Sequence, residues 1–125
     1  MTPQDAIQAL DVALVMSGQD IDLTRFVAPS RTPVTVTCRA KVKNGDVVQS
    51  EGAFGKFQAS FLVILSPTPI DAAGWPGVPA TNGFDPRIPV NGDQMLINGH
   101  VRTVQVARGI YLANALVRIE AQALG

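Results

Sequence analysis

Val34-Thr35-Val36-Thr37-Cys38-Arg39-Ala40-Lys41-Val42-Lys43-Asn44-Gly45 alternates apolar and polar side chains for ten positions and then meets a turn-forming pair. A period of two gives a strand with one buried and one wet face. Asn44-Gly45 suits a two-residue hairpin, since both positions tolerate positive φ. The spacing therefore predicts a turn here, with Val47 and Val48 beginning the return strand. Upstream, Ile21 and Leu23 alternate with Asp20, Asp22 and Thr24 as a short half-buried strand. Downstream, residues 50–57 with Gly52 and Gly55 read as a loop or bulge, and Ala59 to Leu65 as a central strand covered on both faces. Met95-Leu96-Ile97 runs into a second hairpin pair, Asn98-Gly99, and Val101, Val104 and Val106 mark its return strand. Arg108-Gly109 is read as the next turn. It leads into a last strand in which Ala115, Val117, Ile119 and Ala121 alternate with Leu116, Arg118, Glu120 and Gln122.

Residues 1–18 carry helical punctuation instead. Thr2 can cap, Pro3 suits the first helical position, and Asp5 favours the helix N-terminus. Ile7, Leu10 and Leu14 fall on one face, and Gly18 is placed to end the helix in the left-handed conformation. From Ser66 to Val90 no regular element is expected, because six of the nine prolines fall there with Gly74, Gly77 and Gly83. The expected architecture is one mainly β domain. An N-terminal α-helix (1–18) is followed by the first strands (19–65), a long Pro/Gly-rich loop (66–90), and a C-terminal hairpin and last strand (91–125). About six antiparallel strands would close a small barrel or sandwich.

The chain has 125 residues, one domain's worth, with ten basic and ten acidic residues and a formal net charge of zero. That balance argues against sequence-independent nucleic-acid binding and against disorder. Charged residues make up only 16%, too few to keep a soluble surface well apart from its neighbours, so much of the surface is expected to meet other protein. Only Asp71, Asp85 and Arg87 are charged between Ser66 and Val90, which concentrates the shortage in the loop. No apolar run approaches the roughly 20 residues that span a bilayer, and no secretion signal is evident at the N-terminus, so the expectation is no membrane partner and a reducing cytoplasm.

Tests for chemistry mostly fail. Cys38 is the only cysteine and lies on the apolar face of its strand, which reads as a small buried hydrophobe. His100 is the only histidine and has no carboxylate or thiol at ligand spacing, so it is expected to face solvent. No serine sits in a Gly-x-Ser-x-Gly elbow. Gly52-Ala53-Phe54-Gly55-Lys56 fails as a phosphate loop, with Ser50 where glycine is required and Phe57 where a hydroxyl would hold magnesium. Asp20, Asp22 and Asn91-Gly92-Asp93 lack the acidic pattern of a calcium loop. Neither a catalytic residue nor a cofactor or metal site is expected. Trp75, in Ala73-Gly74-Trp75-Pro76-Gly77, stands out as either an interface anchor on a stiffened loop or a plug for the barrel's open end. Trp75, Pro76, Phe84 and Arg87 are the loop candidates for an interface, and residues 71–86 are expected to serve docking without being needed for the barrel.

The stretch Ile88-Pro89-Val90-Asn91-Gly92-Asp93-Gln94-Met95-Leu96-Ile97-Asn98-Gly99-His100-Val101-Arg102-Thr103-Val104 resembles the C-terminal half of tailed-phage head–tail joining and head-closure proteins. The carrying features are Gly92-Asp93, the triplet Met95-Leu96-Ile97 and the turn Asn98-Gly99. The order of a short helix, a β-barrel and a long middle loop also agrees. The resemblance implies a non-enzymatic virion protein of the neck, assembled in the host cytoplasm. Such a protein forms a ring of six or twelve copies that closes the DNA-filled head. It touches itself, the portal or adaptor, and tail-terminator or tail-tube proteins, with no sequence-specific nucleic acid. A near-neutral bore would not retard DNA passing through it. Another phage ring component, a tail terminator or baseplate part, is a second reading. A stand-alone β-barrel module for a small ligand or peptide is a third.

Overall fold

The computed structural model describes residues 1–28, 30–49, 57–78 and 83–125, at 45–49 and 57–59 by backbone alone. Six strands form a closed antiparallel barrel: β1 (Gln19–Val27), β2 (Thr32–Gln49), β3 (Phe57–Leu65), β4 (Gln94–Ile97), β5 (His100–Leu112) and β6 (Ala115–Leu124). Their order around the barrel is β1-β2-β3-β6-β5-β4. Among the described residues two helices accompany the barrel, α1 (Pro3–Ser17) outside its wall and α2 (Pro67–Ala73) after β3.

α1 begins as its punctuation dictates. The Thr2 hydroxyl accepts from the Asp5 N–H at 3.1 Å, and the Asp5 carboxylate accepts from the Thr2 N–H at 3.1 Å. Those Thr2 hydrogen bonds hold the exposed Asp5 carboxyl below its ordinary pKa. Its other end differs from the expectation. Gly18 has φ −95° and ψ −173°, an extended conformation open to any residue. What requires glycine is room: a Cβ there would lie 2.5 Å from the Leu14 carbonyl oxygen and 2.8 Å from that of Ala40. Arg39 then donates to the Leu14 and Val15 carbonyls at 3.0 and 3.3 Å, satisfying the unpaired helix end. The C-terminus of α1 is thus fastened to β2.

Two turn expectations fail for related reasons. Asn44-Gly45 lies within β2, at a bulge where Gly45 and Asp46 together oppose Ser60 of β3, and the strand continues to Gln49. Backbone tolerance suits a bulge as well as a turn, and the long apolar run of β3 supplies the pairing that extends the strand. The expected loop at 50–57, including the failed phosphate-loop match, falls almost wholly outside the described residues. Arg108-Gly109 likewise stays inside β5, with Gly109 opposite Ile119. A Cβ on Gly109 would come within 2.7 Å of the Ile88 and Leu116 side chains, so this glycine makes space and not a turn. The β5–β6 turn is Ala113-Asn114, both at positive φ (49° and 66°). Asn98-Gly99 does turn β4 into β5, with φ of 52° and 80°.

Ile21, Leu23, Val63, Leu65, Met95, Ile97, Val104 and Ile119 fill the interior. Cys38 joins them. Burial, reinforced by Asp22, pushes its thiol up to about 12, so the side chain is an unreactive hydrophobe at neutral pH. β3 is covered on both faces only in part: Ile64 is buried on the α1 side, whereas Leu62 is open to solvent. Regular structure also reappears in the proline-rich segment, where none was expected. The Ser66 hydroxyl caps α2 by accepting from the Thr68 N–H, and Pro67 and Pro69 occupy the first turn, where no intrahelical donor is needed.

Candidate functional site

β4 is too short to close the barrel along its whole length, and it contributes only three paired positions with β1, ending at Thr24↔Gln94. Beyond it, Arg25 bridges the gap. Its guanidinium meets both Asp93 carboxylate oxygens, at 2.9 and 3.2 Å, and donates to the carbonyls of Pro86 (2.8 Å) and Ile88 (3.0 Å). The pair is withdrawn from water, with side chains 12% and 4% exposed. Asp93 is itself fixed, because its carboxylate accepts from the Val90 N–H and its carbonyl from the Val104 N–H. The Gly92-Asp93 turn, with Gly92 at φ 99°, is thereby stitched to β5. The Trp75 ring lies 4.7 Å from the Arg25 guanidinium, a cation–π contact, and its Nε1 donates to the Val34 carbonyl at 2.9 Å.

The residues singled out from sequence therefore separate into two groups. Trp75 is only 4% exposed and packs into the core, with Pro76 buried beside it. Phe84 stands exposed. Arg87 is half-buried in ion pairs with Asp85 at 2.8 Å and Asp71 at 3.0 Å, and these pull the loop back onto α2. Asn98 and Gly99 form an exposed hairpin tip. Arg25, the centre of the network, was not singled out. The signal for it was present: Ile21, Leu23 and Arg25 share the inward phase of β1, and a charge in that phase requires a buried partner.

The Arg87 hydrogen bond holds the Asp85 carboxyl below its ordinary value of 3.8. Its folded pKa is depressed, so its contribution is fully present above pH 3.8 and lost as the pH falls through the lower folded value. Melting temperature is expected to drop more steeply below that point in the native chain than in Asp85→Asn. The difference is small because its partner Arg87 lies at the surface, where solvent screens the pair. Identical acid profiles would show that this pair does not restrain the loop.

The outer wall is ordered by strand register. Lys43, Leu62, Gln122 and Val106 form one row across β2, β3, β6 and β5, and Lys41, Ile64, Glu120 and Arg108 form the next. α1 lies against Ile64, with Leu10 and Leu14 facing the same hollow, and leaves Leu62 and Val106 uncovered. On its own outer side α1 exposes Val12, Val15 and Met16. Cavities open on this wall and beside the helix. Among the described residues, no three His, Cys, Asp or Glu side chains gather as a metal would need, and His100 is exposed at the start of β5. No described helix is long and apolar enough to cross a membrane.

No protein-family model matches the chain, and no curated protein matches it. Among solved structures, it is similar to a chain of the "Virion of native gene transfer agent (GTA) particle". The superposition covers 85% of this chain and 91% of that one, with a TM-score of 0.49 and 10% sequence identity.

Proposed function

We infer that this chain is a structural protein of a tailed-phage virion, a neck component that forms a ring between the portal or adaptor and the tail. The observation that carries this reading is where its apolar side chains lie. The barrel interior is filled, while Val12, Val15 and Met16 on the helix and Leu62, Val101 and Val106 on the wall are left to solvent. Such a molecule is built to be covered by other protein and not to enclose a ligand. The 88–104 stretch that resembles head-closure proteins supports the same reading, since it supplies β4, the closing stave, and the Asp93 lock. The filled interior also weighs against a small-ligand module.

Docking to the rings above and below falls to the exposed aromatics at the loop end, Phe84 and Tyr111. The Tyr111 hydroxyl reaches Asp85 beside Phe84, so the two form one surface. In particles assembled without this chain, DNA-filled heads and finished tails should accumulate unjoined, and adding the purified protein should join them. Heads and tails that join normally in its absence would overturn the reading.

A further inference from the structure

Two apolar surfaces have no partner among the described residues, and they are of opposite shape. One is a ridge on α1, where Val12, Val15 and Met16 are 54%, 69% and 82% exposed. The other is a groove of about 300 Å³ on the barrel wall, with Leu62 (38% exposed) and Val106 (58% exposed) on its sides. Their charges are also opposite. α1 contains Asp5 and Asp11 and no lysine or arginine, and Asp5 shares the outer stripe with Val12 and Met16 through the three-to-four spacing. The groove is flanked by Lys43 beside Leu62, while Arg108, one row from Val106, is paired with Glu120 at 2.7 Å.

We propose that the α1 ridge of one copy seats in the Leu62–Val106 groove of the next, with Asp5 directed at Lys43. The dimensions agree. Lys43 and Val106 stand three strands apart, about 14 Å, and Asp5 lies about 10 Å along the helix from Val12 and about 16 Å from Met16. The helix cannot fill its own groove, because Arg39 and the tight Gly18 approach hold its end against β2. Ridge and groove are different surfaces, so the contact is heterologous and repeats from copy to copy, which is what a ring requires. This assignment rests on the ring reading and specifies the faces that would build it.

The test is a cysteine pair, Val15→Cys with Val106→Cys, oxidised mildly in the otherwise native chain. Both sites are exposed, and Cys38 is buried and stays out of the exchange. The double variant should give a ladder of disulfide-linked multimers, while each single variant gives pairs at most. Adding Asp5→Lys should slow the ladder about threefold, and adding Lys43→Asp as well should restore it, the scale of one exposed charge pair. A double variant that stops at pairs, or a ladder indifferent to Asp5→Lys, would overturn the proposal. Sedimentation of the unmodified chain with isolated heads separates the two levels. Rings that form on heads without ladder formation would sink this pair of faces alone, whereas no ring on heads would sink the ring reading.

Discussion

Replacing Asp93 with alanine should destabilise the barrel by about 3–5 kcal/mol, the cost of stranding one member of a buried ion pair. Arg25 would keep its two carbonyl partners, Pro86 and Ile88, but would have no counter-charge within reach in a site its side chain barely shares with water. The Val90 N–H would lose its acceptor at the same time. Asp93→Asn, which keeps an acceptor and loses the charge, should fall between alanine and the native chain. Arg25→Met combined with Asp93→Ala should recover part of the loss, because it removes the uncompensated charge. Urea unfolding of the four proteins gives the comparison directly. A single-variant loss below about 1 kcal/mol would mean that the pair is hydrated and does not close the barrel.

The second large effect is expected at Trp75. Trp75→Ala should cost about 3–5 kcal/mol, the usual penalty for emptying a buried aromatic site. The Val34 carbonyl loses its donor and Arg25 loses the ring beneath it. Trp75→Phe keeps an aromatic ring but leaves part of the indole's space empty and gives up the hydrogen bond, so it should lose about 1–3 kcal/mol, less than alanine. Excising residues 71–86 removes the plug along with the loop, so that deletion is expected to unfold the barrel, against what the composition of the segment alone implies. A cooperative melt near the native temperature after either Trp75→Ala or the excision would show that the barrel end closes without the tryptophan.

How much of this was legible from sequence can be judged residue by residue. Alternation found β1, β2 and β6, because each has a wet and a dry face and period two is how a chain writes that, whereas β3 was read from its continuous apolar run and β4 and β5 from the Asn98-Gly99 turn between them. The α1 cap was legible for a local reason too, since Thr2 and Asp5 are three residues apart and need nothing else. Turn placement failed at Asn44-Gly45 and Arg108-Gly109, where the glycine answers to contacts outside its own turn: Ser60 across a bulge, and Ile88 and Leu116 in the interior. The orientation of Trp75 was not decidable from its neighbours, because the groups that hold it, Val34 and Arg25, lie more than 40 residues away. Arg25 itself was readable as an anomaly of phase. Its partner was not, since nothing local links positions 25 and 93.

The short β4 and the Arg25–Asp93 lock also bear on how the chain is made. Residues 94–124 supply three of the six staves, and the contact that seals β1 waits for a residue 68 positions further along. On the ribosome, the first half of the chain can form α1 and a sheet of β1, β2 and β3, but the inner face of that sheet has nothing to cover it until the last third emerges. Contacts of such sequence separation form slowly. A nascent or truncated chain therefore displays its interior valines and isoleucines to chaperones and proteases, and only a finished one hides them. The proposed ring, whose every position must be sound, would draw its members from chains already sorted in this way.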